Sequence, residues 1–174
     1  MADPASREVS IIADIARTYV APRQVQASRI AGGAREDRAL AVLMGACVLI
    51  FVAQWPRLSR EAFLDPSIGL DARLAGALFG WIMVMPLVFY ALALISQLVV
   101  RALGVTGAGF ACRMTLFWAL LASTPLWLLT GLAAGFAGAG TGLTIVGIAA
   151  LGAFVIFWMA GLSVVAAQRS EGRA

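Results

Sequence analysis

The run MTLFWALLASTPLWLLTGLAAGFAGAGTGLTIVGIAALGAFVIFWMAGLSVVAAQ, Met114 to Gln168, contains no Asp, Glu, Lys, Arg or His. A water-facing helix or strand needs polar residues on its outer face, so a stretch of this length without charge is built for hydrocarbon. A helix crosses the hydrocarbon layer with about 20 apolar residues, which makes the run too long for one crossing. Its breaker is the cluster Gly135, Gly138, Gly140 and Gly142, a concentration of turn-forming residues with no charge among them. The run therefore predicts a third span over 114–134 and a fourth over 143–167, joined as a tight helical hairpin.

Two further uncharged runs lie upstream, Ala39–Pro56 and Leu74–Val100. The first predicts a span over 39–56, at the short end of what a bilayer permits. Pro56 is expected to end it, and Arg57 to Asp71, with Pro66 and three acidic residues, reads as an exposed loop. The second span, over 74–100, lies between Arg73 and Arg101. At 1.5 Å per residue that separation is roughly 40 Å, longer than the roughly 30 Å hydrocarbon core. Pro86, which removes a backbone donor in mid-helix, is the expected place for a bend. Gly104 to Gly109 reads as a short loop. The predicted fold class is all-α, a polytopic membrane protein with four transmembrane helices in residues 39–168.

Composition agrees. The chain is 61% apolar and 13% charged, with mean hydropathy +0.91, where soluble domains carry about 25% charged residues. All 13 basic residues are Arg, a bias that points to a high-GC genome and a bacterial source. His is absent, which excludes axial His ligation of haem and His-assisted proton transfer. Cys47 lies in the middle of the first apolar run and Cys112 just before the third. Their different depths argue against a disulfide, two isolated Cys make no metal motif, and both read as small packing residues. No cofactor, metal or catalytic residue is expected. The pI near 10.0 suggests affinity for anionic headgroups, while Arg residues scattered along the chain argue against nucleic acid.

Residues 1–38 carry six Arg and lack the continuous apolar core of a cleaved signal. Val9, Ile12, Ala16 and Ile11, Ile15, Tyr19 recur at helical spacing, with Arg7, Ser10, Asp14 and Arg17 opposite. This predicts an N-terminal amphipathic interfacial helix, either lying on lipid or packing on the protein's own membrane-flanking surface. Ala21 and Pro22 end it, and a second short helix from Pro22 through Arg29 is expected to stop at Gly32 and Gly33. Arg35, Glu36, Asp37 and Arg38 then form a charged collar. Outside the spans, ten Arg fall on the side of the two termini and three, Arg57, Arg60 and Arg73, on the other. The positive-inside rule makes residues 1–38 and the tail 169–174 cytoplasmic, in a bacterial inner membrane.

Two G-x-x-x-G pairs, Gly76 with Gly80 and Gly131 with Gly135, put small residues on one helix face and let a neighbouring backbone approach. They serve either an interface with a partner or second copy, or packing among the four spans. Arg23, Arg29, Arg35 and Arg38 are candidates for lipid headgroups or an acidic protein face, alongside a purely topogenic role. Ser123, Thr124 and Pro125, like Pro86, could mark broken helices whose freed carbonyls hold an ion. The lack of ionisable groups within the spans argues against that. Trp55 and Trp118 are expected to anchor opposite interfaces, and Trp81, Trp127 and Trp158 to sit deeper or face lipid.

The run REDRALAVLMGACVLIFVAQWPRLSREAFLDP, Arg35 to Pro66, followed by LFWALLASTPLWLLTGLAAGF, Leu116 to Phe136, resembles the short bacterial members of the Yip1 domain family, above all alphaproteobacterial ones. The resemblance covers the chain from about Ile15 and implies a helical integral membrane protein without known catalytic activity. Eukaryotic relatives act in vesicle trafficking and bind small Rab-type GTPases. This chain lacks their D-L-Y-G-P type of motif and has four predicted spans where they usually have five, so the resemblance carries the fold and not that partner. The expectation is a non-enzymatic scaffold, assembly factor or accessory subunit of a membrane complex, in contact with lipids and with other membrane proteins or itself. A small transporter or channel component is the alternative.

Overall fold

The computed structural model describes residues 4–105 and 107–171 and is helical almost throughout. Two short helices, α1 (Pro4–Val20) and α2 (Pro22–Ala31), precede α3 (Glu36–Leu64). Then come α4 (Leu70–Phe79), a π-helical turn (Gly80–Val84) and α5 (Met85–Ala102), which form one continuous rod. Last are α6 (Gly109–Phe136) and α7 (Thr141–Glu171). Four of these units are long and apolar enough to cross a membrane: α3, the α4–α5 rod, α6, and α7 as far as Ala167. The chain is a multi-pass helical membrane protein. The third and fourth spans meet at the predicted glycine cluster, where Gly138 has φ +74°, a conformation an L side chain avoids. Gly172 to Ala174 of the expected tail lie outside the described residues.

α6 is the centre of the bundle, packed mainly on α3 and α7. Leu116, Phe117 and Trp118 are fully buried, and Ala119 and Ala122 let neighbours approach. α3 and α6 run parallel: Arg113 pairs with Glu36 at their starts, and Gly131 and Gly135 meet Ala53 and Pro56 toward their ends. α7 returns antiparallel, with Gly161 opposite Thr115. The α4–α5 rod joins at the edge through Tyr90, 5.0 Å from Phe117, and Phe89, 6.3 Å from Phe154.

The prolines behave in three ways. Pro56 does not end its helix. α3 continues to Leu64, held by buried Leu58 and by an Arg57–Glu61 pair at 3.3 Å one turn apart. The expected loop over Arg57 to Asp71 shrinks to Asp65–Gly69, where Asp65 accepts from the Ser67 backbone and hydroxyl and from Arg73. Before Pro86 the hydrogen bonding widens to the π turn, with the Met85 N–H reaching Gly80 O. The ring's clash with the preceding turn is met by one extra residue in the winding, as in other π-bulges. α6 passes through Pro125 unbroken. Its missing N–H frees the Leu121 carbonyl, which accepts from the Thr124 hydroxyl at 2.7 Å, while Ser123 donates to Leu120 O. The carbonyl that Pro125 frees is thus already satisfied by a hydroxyl one turn away.

α1 and α2 form a hairpin against the ends of α6 and α7. α2 ends as the glycines predict: Gly32 caps it and Gly33 has φ +88°. Asp14, expected opposite the apolar side of α1, is instead turned toward the bundle. Thr18 is fully buried and Asp14 and Ile15 are half-buried, while Ile12 and Val20 are 70% and 87% exposed. Polar groups turn inward because partners await them there, and the outward side can stay apolar where lipid is the solvent. The side chains of Arg7, Val9 and Ser10 lie outside the described residues.

Candidate functional site

Four polar side chains tie the N-terminal hairpin to the bundle. Thr18 donates to Asp14 O at 2.7 Å and accepts the indole N–H of Trp118 at 3.1 Å. Trp118 is thus fully buried rather than anchoring an interface, while Trp55 stays 47% exposed, as an interfacial residue can. The Arg29 guanidinium lies over the Trp118 ring at 3.9 Å and bonds Asp14 at 2.6 Å. Burial lowers the Arg29 pKa below the usual arginine value and nearby Arg38 adds to this, with Asp14 acting against both. Gln26, fully buried, donates to the carbonyls of Thr115 and Phe157 at 3.2 and 3.3 Å. Its Oε1 has no partner among the described residues. Gly161 makes the room: a Cβ there would stand 2.6 Å from Thr115 Cβ and 3.1 Å from Gln26. Each net hydrogen bond in such a network contributes about 1 kcal/mol.

Beside this network opens a cleft of about 700 Å³ between α1, α2, α3 and α6. Arg29, Arg35, Arg38 and Asp37 stand around it, and Val42, Gly45, Trp118 and Leu121 line its apolar part. Arg38 folds back over Gly32, where a Cβ would lie 3.2 Å from its guanidinium. The turn after α2 thereby gathers arginines that are distributed along the sequence. Arg23, the fourth predicted headgroup residue, is elsewhere. It borders a second, more open groove of about 770 Å³ between the α1–α2 elbow and Val155, Ile156 and Met159 of α7.

The two glycine pairs part company. A Cβ at Gly131 would overlap the carbonyl oxygen of Ala53, and one at Gly135 would come within 2.5 Å of Pro56 Cβ. A Cβ at Gly76 or Gly80 meets nothing within 4 Å. Arg60 closes the far end of the first contact by donating to Gly135 O at 3.4 Å, a cation at a helix C-terminus where carbonyls lack partners.

Sequence reasoning named the arginines and both glycine pairs as candidates, did not single out Thr18, Gln26 or Gly161, and gave Asp14 and Trp118 other roles. One signal was available. Thr18 comes four residues after Asp14 and three after Ile15, which sets it on the border between the polar and apolar faces of α1, a mixed strip that only partners could bury. Among the described residues no group of three or more His, Cys, Asp or Glu could hold a metal. No family model, curated protein or solved structure matches the chain.

Proposed function

We propose that the protein is a non-enzymatic scaffold, assembly factor or accessory subunit in a bacterial inner membrane, joined to a partner or a second copy through the α4–α5 rod. The observation that carries this is the open Gly76–Gly80 face. Around it Phe79 and Met83 are 64% and 59% exposed, and Leu87 is 72% exposed one turn further on. Helices in lipid gain nothing from hydrophobic burial and associate through close backbone approach, for which this face has the right residues and, among the described residues, nothing within 4 Å of either glycine's Cβ position. Kinship with the Yip1 domain proteins is part of this reading, and the runs Arg35 to Pro66 and Leu116 to Phe136 are what support it.

Purification in mild detergent with mass spectrometry of what accompanies the protein tests the proposal. Wild type should bring down a stoichiometric companion or cross-link to itself, and Gly80→Leu should lose it while keeping its melting behaviour. Unchanged association in the variant would remove this face from consideration. Protein-dependent flux in liposomes would replace the scaffold by a transporter. The ten-to-three distribution of Arg supports cytoplasmic termini, so a C-terminal fluorescent fusion should glow and a C-terminal alkaline phosphatase fusion should be inactive.

A further inference from the structure

We infer that the cleft ringed by Arg29, Arg35 and Arg38 is a specific site for an anionic glycerophospholipid, its phosphate at the arginines and one acyl chain along the wall formed by Val42, Gly45 and Leu121. This goes beyond the scaffold role and rests on different residues.

The charge comes first. Arg29 is held by Asp14, Arg35 lies 3.5 Å from Asp37, and Arg38 has no carboxylate partner among the described residues. Three arginines against two aspartates leave one positive charge, and a single phosphodiester carries one negative charge. Guanidinium groups suit a phosphate because they offer paired donors in a planar fork. Arg29 is already oriented by Trp118 and Asp14, so little freedom remains to be lost there on binding.

Depth selects the source of that phosphate. Arg35 and Arg38 immediately precede the uncharged run from Ala39, which sets them at headgroup level. From Arg38 to Gly45 is roughly 10 Å along a helix, so the lower wall of the cleft lies within the hydrocarbon layer. A Cβ built on Gly45 meets nothing within 4 Å, leaving a smooth strip of α3 against which a chain can lie. An acidic peptide or a free phosphate would meet the arginines but would leave this apolar wall without a partner. A diacyl lipid fills both parts.

The test is native mass spectrometry of the full-length protein in mild detergent with dioleoyl-phosphatidylglycerol, dioleoyl-phosphatidylethanolamine and soluble glycerol phosphate. One phosphatidylglycerol should be retained, in about tenfold preference to phosphatidylethanolamine, the scale expected of one or two charge-assisted contacts. Glycerol phosphate should not displace it. Arg38→Gln, a change at an exposed side chain, should lower retention about tenfold, and Gly45→Phe should lower it by filling the chain strip while melting stays at the wild-type temperature. Equal retention of the two phospholipids overturns the site, as does wild-type retention in both variants. Displacement by glycerol phosphate would show an anion site that takes no lipid chain, and loss in Arg38→Gln with no effect of Gly45→Phe would likewise remove the chain from the assignment. None of these outcomes depends on whether Gly80→Leu loses its companion.

Discussion

Gly131 and Gly135 in α6 share their spacing with Gly76 and Gly80 in the α4–α5 rod, and their surroundings are opposite. At the first pair the α3 backbone at Ala53 and Pro56 occupies the space a side chain would need; at the second that space is open. A G-x-x-x-G pair makes a flat helix face and nothing more. Whether the face is spent inside the fold depends on which helix lies beside it. α6 has α3 running parallel along its length, whereas the α4–α5 rod is at the edge and turns most of its surface outward.

The largest effect expected from this contrast is at Gly131. Gly131→Leu forces the helices apart where a backbone oxygen already sits, and should cost at least about 3 kcal/mol, the upper range for overpacking, read as loss of monodisperse protein and a lowered melting temperature. Survival with normal melting would break the comparison. Gly161→Ala sharpens it, because Gly161 belongs to no such pair yet faces Thr115 and Gln26 closely. A cost of about 1–3 kcal/mol would show that proximity, not spacing, sets the penalty. Gly76→Ala should change stability by less than about 1 kcal/mol, in the stabilising direction set by helix propensity, and a clear loss would mean the face is covered.

The smallest effect belongs to the turn that leads into the open pair. Asp65 has its pKa below the usual carboxylate value, chiefly through the Ser67 hydroxyl and backbone N–H and then Arg73. A depressed carboxylate stabilises the folded state above its unfolded pKa and loses that contribution as pH falls through the folded value. The turn should therefore be unaffected at neutral pH and loosen only below about pH 4, seen as faster amide exchange at Ser67. Loosening near pH 6 would contradict the assignment.

The ends of α2 were legible because Pro22, Gly32 and Gly33 act locally, through fixed φ at one end and a left-handed turn at the other. The hairpin between α6 and α7 was legible for the same reason. Pro56 misled, because its effect depends on the residues C-terminal to it: Leu58 and the Arg57–Glu61 pair carry α3 onward. The inward face of α1 was hidden as well. Thr18 and Trp118 are separated by 100 residues, and a polar residue turns inward only if a partner is brought to it.

The amino-acid sequence by itself determined the membrane as solvent, the four spans and the glycine hairpin, because absence of charge and local backbone preference act residue by residue. Only the tertiary structure decided which glycine pair is closed, which arginines share a cleft and which side of α1 is buried. Those depend on distant segments meeting, and in lipid that meeting is governed by shape and hydrogen-bond complementarity rather than by the hydropathy written along the chain.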